Sequence, residues 1–193
     1  MTEPTLKEKF HSDGSIAWQT WWLNGKCHNV NGPARIGYYP DGSIKWQQWW
    51  LNGKHHRNDG PARIGYHQIL DEQNSTKSCG SIECQSWWLN AKRHREDGPS
   101  VVRYRLDGSI WWQEWNLNGK CHRSDGPAYI KYHSDGSIHW QSWFLNGAKL
   151  TEEEFQQQKR KIANKRKVLL LQSRFSAYND FEKWLIPEIV NLI

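Results

Sequence analysis

Hydrophobic and polar positions alternate along short stretches of this chain, and the alternation returns at regular intervals. In residues 34–38, Ala-Arg-Ile-Gly-Tyr, a small, a β-branched and an aromatic residue occupy positions one, three and five. The stretches 62–66, 100–104 and 128–132 keep this order. Strict alternation is typical of a β-strand with one face toward a core, so these three positions are predicted to face inward.

A second kind of stretch, residues 16–24, is rich in tryptophan and breaks the alternation. Ile16 and Trp18 would lie on one face of a regular strand, whereas Trp21 and Leu23 would lie on the other. A β-bulge near 19–20 would bring all four onto one face, because a bulge inserts one residue and reverses the alternation beyond it. The alternative is a sheet that is apolar on both faces, with the second face lined by Trp22, Trp50 and Trp88.

Five copies of this stretch can be compared within the chain. Four positions keep the same residue type in every copy, namely those of Ile16, Gln19, Trp21 and Leu23. Positions 17 and 20 vary freely. The varying positions are therefore predicted to face water.

The copies follow one another at a nearly constant spacing. The triplet Gly-Ser-Ile begins at residues 14, 42, 80, 108 and 136, so the intervals are 28, 38, 28 and 28 residues, and the long interval contains an insertion near 67–79. Repeats of about 20 to 50 residues indicate an array of units that bury their apolar faces against one another. The predicted fold is mainly β over residues 1–150, an elongated antiparallel sheet of stacked hairpin repeats.

Turn signals separate the predicted strands. Asn-Gly and Asp-Gly pairs are the strongest short-range signals for a hairpin, because both residue types tolerate positive φ. They recur in nearly every copy and predict about ten antiparallel strands. The stretch Leu6–Phe10 is a more polar version of the alternating strand, and its charges suit the exposed first edge of the sheet, where they discourage pairing between edges.

The segment 151–193 follows a helical pattern. Thr151 and Glu154 form a capping box at the start of a helix, and the next 22 residues, 155–176, contain seven Lys or Arg and no acidic residue. Phe155, Ile162 and Leu169 fall on one stripe. A second helix is predicted from Asn179 or Asp180, with Pro187 as a possible interruption.

Three roles for this segment stay open. The two helices can fold back over the last edge of the sheet, the basic helix can lie on a membrane surface, or the apolar end can dock on a partner. The residues predicted for such a docking tail are Phe181, Trp184, Leu185 and Ile189.

Composition narrows the class of protein. The formal net charge is +6, with +4 on residues 1–150 and +2 on the remainder, which favours anionic partners without identifying one. Residues 1–7 lack the apolar core of a signal peptide, and no stretch approaches the roughly 18 apolar residues of a membrane span. Four cysteines are too few for a disulfide scaffold, and Cys27 and Cys121 stand three repeats apart. A soluble protein with free thiols in the reducing cytoplasm is predicted.

One run of residues carries a resemblance to a known family. Trp-Leu-Asn-Gly-Lys-Cys-His at 22–28, followed by Gly-Pro-Ala, Tyr38 and Asp41-Gly42, resembles the MORN repeat over residues 10–147. The period of 28 exceeds that family's usual low twenties, and the His-Gly step is replaced. The resemblance implies stacked hairpins and a scaffold that binds proteins or self-associates. Extended repeats of this kind look like those of giant DNA viruses, which implies a viral or virion-associated protein, in the virion or the host cytoplasm, as one option.

Cysteine and histidine at 27–28 and 121–122 are residue types that bind zinc, but the pattern favours a structural role. The cysteine position becomes His55 and Arg93 in other copies, and arginine is not a zinc ligand. The histidine position never changes, so we predict a structural ladder in which each imidazole bonds the turn three residues later. The ladder consists of His28, His56, His94 and His122.

Basic residues interleaved with aromatic ones are the best candidates for an interaction surface. One set is predicted on the rim of the hairpins: Lys26, Lys54, Lys92, Lys120, Arg57, Arg95 and Arg123. Another is predicted on the outward face of the alternating strand: Arg35, Arg63, Arg103 and Lys131. Aspartates line the opposite rim, so the array is electrically two-sided.

Two functions are compatible with these patterns. The first is a non-enzymatic structural or protein-interaction repeat protein, with no cofactor, metal or small-molecule substrate, because catalysis needs one asymmetric pocket rather than a repeating surface. The alternative is a protein that binds nucleic acid or an anionic membrane surface through the basic rim and the basic helix, with bases stacking on exposed tryptophans.

Overall fold

The computed structural model describes residues 3–70 and 76–190, and the side chains at 69–70, 76–79, 171 and 174–190 are outside the description. The chain divides into two compact units, Met1–Lys149 and Leu150–Ile193. The first unit is built of β-strands, and the second consists mainly of one helix.

The strands within the described residues are β1 Thr5–Phe10, β2 Ile16–Leu23, β3 Lys26–Cys27, β4 Arg35–Tyr38, β5 Ile44–Gln48, β6 Trp50–Leu51, β7 Lys54–His55, β8 Arg63–Leu70, β9 Thr76–Ser86, β10 Trp88–Leu89, β11 Lys92–Arg93, β12 Val101–Tyr104, β13 Ile110–Glu114, β14 Asn116–Leu117, β15 Lys120–Cys121, β16 Tyr129–Tyr132, β17 Ile138–Leu145 and β18 Ala148–Leu150. They are followed by the helix α1, Glu152–Val190.

One large antiparallel sheet dominates the first unit. Its order is β1-β2-β4-β5-β8-β9-β12-β13-β16-β17-β18, with β3 attached to β2. The predicted fold class is confirmed, and β1 is the edge strand that the charges of Leu6–Phe10 indicated. The insertion lengthens β8 and β9 into a longer hairpin, with Leu70 opposite Thr76, and its tip at 71–75 lies outside the described residues.

Each repeat divides at its central tryptophan. The N–H of Trp21 donates to Ala34 O of the main sheet, whereas Trp21 O accepts from His28 N of the short hairpin β2–β3. The inner repeats branch in the same way at Trp49, Trp87 and Trp115. The strand therefore belongs to the main sheet up to this residue and to a short side hairpin beyond it.

The side hairpins stack on one another through the backbone. The N–H of Gly53 donates to Cys27 O, and the N–H of Asn29 donates to Trp50 O, so two hydrogen bonds join the first hairpin to the second. The same pair of bonds recurs at each later junction. Backbone pairing thus holds neighbouring repeats together in both the main sheet and the hairpins.

The bulge in the tryptophan strand lies earlier than predicted. Lys9 is opposite Trp18 and Phe10 is opposite Ile16, so the extra residue is Ala17 and not one of the pair at 19–20. The register shifts in the same place in the other repeats. The bulge follows directly on the Asp-Gly-Ser turn, where closing the turn offsets the two strands by one residue.

Because alternation is regular beyond the bulge, the sheet is apolar on both faces, as the alternative prediction held. Trp18, Thr20 and Trp22 point to what we call the Trp18 face, and the intervening residues point to the Gln19 face. On the Trp18 face, the indole of Trp46 lies across Gly37, where a Cβ atom would overlap the ring.

A contact on the Gln19 face gives the glutamine the same role in the first four copies. The Tyr38 hydroxyl donates to Gln19 Oε1 at 2.7 Å, which joins the tyrosine of the alternating strand to the preceding tryptophan strand. Equivalent bonds start from the other three tyrosines, Tyr66, Tyr104 and Tyr132. The small residues at position one of the alternating strand are fully buried, as predicted: Ala34, Ala62, Ser100 and Ala128.

The prediction that position 20 faces water is wrong. Thr20 is 1% exposed, and its counterparts Ser86, Glu114 and Ser142 are also buried. In the inner repeats this position accepts a hydrogen bond from the residue two places along the same strand, as when the Trp88 indole donates to Ser86 Oγ at 2.9 Å. Gln48 and Ser86 both accept from a tryptophan indole, so the position stays polar without keeping one residue type. Position 17 is exposed in three copies, Lys45, Glu83 and His139.

The helix α1 begins as the sequence predicted. Thr151 N donates to Glu154 Oε2 at 2.8 Å, and Glu154 N donates to Thr151 Oγ1 at 3.2 Å, which completes the capping box. The prediction of two helices is wrong, because α1 continues through 179–180 to Val190. No glycine or proline stands near 179–180 to end the helix there, and Asn and Asp disfavour a helix interior far less than proline does.

Candidate interaction surfaces

The histidine ladder exists, but its partners differ from those predicted. His28 Nδ1 accepts a hydrogen bond from the backbone N–H of Asn52, at 3.2 Å, in the Asn-Gly turn of the next repeat. The same bond joins the later histidines His56, His94 and His122 to the turns of the repeats that follow them. The sequence suggested a contact three residues away within one repeat, whereas each histidine links two repeats.

A repeated clamp holds the loop after each inner histidine. Arg57 Nε donates to Asp59 Oδ1 at 2.8 Å, its Nη1 donates to Pro61 O, and its guanidinium lies 4.1 Å from the centre of the Trp49 ring. A Cβ at Gly60 would be 3.2 Å from the guanidinium carbon, so glycine lets the arginine cross the loop. The clamp recurs with Arg95 and Arg123, while Asn29 holds the first loop by bonding Pro33 O.

Because of these contacts, the rim that was predicted to be basic is not uniformly positive. The three arginines are engaged within their own loops, and the hydrogen bond from Arg57 lowers the pKa of Asp59, as the bond from Arg95 does for Asp97. The paired aspartates stay largely in solvent, with Asp59 80% exposed. Each clamp therefore presents a carboxylate beside its guanidinium, and the rim of loops carries both signs of charge.

Clefts open between consecutive clamp loops. One lies between the loops 29–33 and 56–59, the next between 57–61 and 94–97, and a third between 95–99 and 122–125, with volumes of about 540, 580 and 580 Å³. Each has a tryptophan and a leucine at its base, such as Trp49 and Leu51 in the first. The residue that follows Asn29 or the clamp arginine is exposed at the mouth of the clefts and differs in every repeat: Val30, Asn58, Glu96 and Ser124.

The four lysines predicted on the hairpin rim are exposed beside the hairpin turns, which are Asn-Gly except at Lys92, where the turn is Asn-Ala. The stem of Lys26 packs near Gly53 in the next hairpin, where a Cβ would lie 3.6 Å from the lysine carbons. The stems of Lys92 and Lys120 lie similarly near Gly119 and Gly147. The ammonium groups are free to meet a partner, although their stems serve the stacking of the hairpins.

The second predicted set lies on the Trp18 face, among indole rings. Arg35 lies 5.6 Å from the Trp46 ring, and Arg103 lies 5.9 Å from the Trp111 ring. Arg63 is exposed, and Lys131 is opposite Trp112 in the sheet register. Arg103, Lys131, Trp111 and Trp112 line a cleft of about 290 Å³. The structure thus brings together a basic and aromatic group that sequence reasoning placed on one strand face.

A buried polar cluster on this face was missed. Glu114 is 7% exposed and binds Arg93 Nη1 at 2.9 Å. Asn116 Nδ2 donates to Glu114 Oε1 at 2.7 Å, and the Tyr129 hydroxyl donates to the same oxygen. Burial and the neighbouring Cys121 and Glu114 raise the pKa of Tyr129. The sequence did contain a clue to this cluster. Arg93, Glu114 and Asn116 each differ in type from the residues at the same positions of the other repeats, and they lie in neighbouring repeats.

The position of Arg93 is occupied by Cys27 in the first repeat and by His55 in the second. His55 stacks between Trp50 and Trp88, with ring centres 3.8 and 5.3 Å away. Burial, then the charges of Arg63 and Arg35, lower its pKa from 6.5 to about 4. Burial raises the pKa of the Cys27 thiol to about 11. Cys27 and Cys121 are free thiols, as predicted.

The predicted docking tail, Phe181, Trp184, Leu185 and Ile189, lies where side chains are outside the description, so only its helical backbone is known. Earlier in α1, Phe155 is buried, whereas Ile162 and Leu169 are about half exposed. In the described part of the chain, no helix has the length and apolar character needed to span a membrane. No cluster of three or more potential metal ligands occurs among those same residues.

Comparison with models of protein families, with characterised proteins and with solved structures gave no match to this chain. The resemblance to MORN repeats therefore stays a prediction.

Proposed function

We propose that this chain is a non-enzymatic repeat protein that works by binding other proteins. The observation that supports this role is the row of three similar clefts between four successive loops, the last three of which are held by the arginine clamp. Their framework is constant, but the residues at their mouths vary from repeat to repeat. A constant framework with variable contact residues suits recognition of an extended partner that crosses several repeats.

The charge of the clefts favours a protein partner over a phosphate polymer. Each guanidinium is accompanied by an exposed carboxylate, since Asp59, Asp97 and Asp125 are 73–82% exposed. A phosphate chain would meet these carboxylates at every junction, which opposes the electrostatic attraction on which nucleic-acid binding depends. A protein surface can satisfy both signs of charge.

The test compares two triple variants of the full chain as affinity baits. Val30→Arg, Asn58→Arg and Ser124→Arg place three bulky cations at the cleft mouths. Ser12→Arg, Pro40→Arg and Ser134→Arg place the same charge on exposed positions beside the Asp-Gly-Ser turns, on the opposite rim. We expect the cleft variant to lose the proteins that the wild type retains, and the control to keep them. Equal retention by both variants would refute the role of the clefts.

A second candidate function has one specific observation in its favour. The cleft lined by Arg103, Lys131, Trp111 and Trp112 combines cations with indole rings, as surfaces that bind single-stranded nucleic acid do. Titration with a single-stranded oligonucleotide at about 50 mM salt tests it, because phosphate contacts are strong at low salt. Binding that weakens steeply with salt, and that Lys131→Glu abolishes, would support this function.

A further inference from the structure

The two edges of the main sheet expose residues that are covered everywhere else in the array. Trp140 and Ile138 in β17 are 44% and 51% exposed, whereas the tryptophans and isoleucines at the same position of earlier repeats are partly buried. At the other edge, Phe10 in β1 is 54% exposed, although the equivalent tyrosines are partly buried. The exposure arises because, among the described residues, β1 and the first part of β17 have a strand on one side only.

The kind of strand that each edge could pair with is the kind that the other edge provides. Inside the chain, the tryptophan strand β13 pairs with the alternating strand β16 through Trp112↔Lys131, Gln113↔Ile130 and Glu114↔Tyr129. The last tryptophan strand, β17, has β16 on one side. On the other side lies only the three-residue β18, which follows the Asn146-Gly147 turn and therefore reaches the end of β17, so 138–142 has no second partner strand among the described residues. The first strand, β1, is an alternating strand with nothing on its outer side in the same described part.

We propose that β17 of one copy pairs with β1 of a second copy of this chain, head to tail, in the register used inside the array. Trp140 is then opposite Lys9, Gln141 opposite Glu8, and Ser142 opposite Lys7. This inference deepens the proposed interaction role by naming one partner, and it uses the sheet edges rather than the clefts. It continues a pairing that the chain already makes between its own repeats.

The side chains at the two edges fit this pairing. Lys9 meets Trp140 as Lys131 meets Trp112, and Lys7 already lies 5.6 Å from the Trp22 ring within the chain. Glu8 accepts a hydrogen bond from the Gln19 amide at 2.6 Å on its inner side. Its second carboxylate oxygen can accept from the amide of Gln141 on the outer side.

The same charges oppose the symmetric alternative. If two β1 strands met antiparallel about Glu8, the two glutamates would be opposite each other, and each Lys7 would be opposite a Lys9. Like charges directly opposite one another destabilise a pair of strands. The charged edge therefore disfavours pairing with itself while it permits pairing with the apolar edge of β17. A head-to-tail contact of this kind does not close on itself unless the chains form a ring, so it generates open chains of subunits.

The test measures the mass of the full chain in solution by sedimentation over a range of concentrations. The wild type should exceed its monomer mass of 22.9 kDa increasingly as concentration rises. Trp140→Lys places a lysine opposite Lys9 and should remain monomeric. The double variant W140K/K9E restores an attractive pair at that position and should associate again.

The matched control is His139→Lys, which adds a charge at the unpaired bulge residue next to Trp140 and should associate like the wild type. A wild type that stays monomeric, W140K that associates normally, or W140K/K9E that fails to recover would each overturn the proposal. W140K should still capture the proteins that bind the clefts, so failure of self-association and failure of the proposed function are distinguishable. Circular dichroism checks that the variants are folded.

Discussion

At the scale of single residues, the Trp18 face shows how one position can carry different chemistry in different repeats. The position of Cys27 in the first repeat is held by His55 in the second and Arg93 in the third, and the neighbouring residues also differ. His55 packs between two indoles, whereas Arg93 is matched by the buried Glu114. The same position is therefore packed by different partners in different repeats.

The environment of His55 predicts a dependence of stability on pH. Its pKa falls from 6.5 to about 4 on folding, so the unfolded chain binds a proton more readily between these values. The contribution of the neutral ring is complete above pH 6.5 and is lost as pH falls through 4. We expect a loss of about 1–2 kcal/mol, after allowance for the solvent that reaches this ring.

Urea unfolding of the wild type and His55→Phe at pH 7.5 and pH 4.5 measures this effect. Phenylalanine retains the stacking and does not titrate, so the variant should lose less stability on acidification. Identical losses in the two proteins would show that other groups account for the acid sensitivity.

The buried glutamate makes a second prediction at this scale. Glu114→Leu should lower the free energy of unfolding by about 1–3 kcal/mol, because the buried amide of Asn116 and the partly exposed Arg93 lose an acceptor. The double variant R93L/E114L should recover part of this loss, since both charges are then removed. Chemical denaturation of the two single variants and the double variant gives the coupling. Additive losses would mean that the pair does not interact.

At the scale of elements, the hairpin turns show where the repeat departs from its own pattern. Four turns are Asn-Gly, but the third repeat has Ala91 in the glycine position, with a φ of 66°. A residue with a Cβ atom is strained in the left-handed region, whereas glycine is not. The chain therefore carries one turn that is less favourable than its neighbours.

Replacing Ala91 by Gly should stabilise the protein by about 0.5–1 kcal/mol, because relief of the strain exceeds the added freedom of the unfolded chain. The matched variant is Gly53→Ala, at the same position of the preceding repeat, with a φ of 78° and no severe contact for the new Cβ. It should destabilise by a similar amount. Thermal unfolding measures both, and a destabilised Ala91→Gly protein would contradict the role of the turn.

At the scale of the whole first unit, the contacts between repeats join each repeat to its neighbours within the described residues. The histidine-to-turn bonds and the backbone bonds between hairpins link consecutive repeats, whereas each clamp lies within one repeat. In such an array, the stability of a repeat depends on how many neighbours it has. The two ends should therefore open more readily than the centre.

Hydrogen exchange followed by mass spectrometry tests this expectation in dilute solution, where self-association is minimal. Amides of β1 and β17 should exchange faster than those of β5, β12 and β13. Uniform protection along the array would instead indicate a single cooperative unit. Raising the protein concentration should selectively protect β1 and β17 if the edges pair between copies.

The sequence by itself determined the elements that depend on local chemistry. The 28-residue interval, the alternation in 34–38, the Asn-Gly turns and the capping box at Thr151 each act over a few residues, and the structure shows all of them. The mainly β fold and the edge position of β1 followed from the same patterns, because a repeated hairpin must bury its apolar side against a copy of itself.

Only the tertiary structure decided which residues meet across repeats. The location of the bulge at Ala17, the burial of Thr20 and the link from His28 to Asn52 all depend on the register between strands. A shift of one residue exchanges the two faces of a strand, and local patterns do not contain that shift. The clefts arise in the same way, because each is formed by two loops that are 28 or 38 residues apart in the chain and adjacent in space.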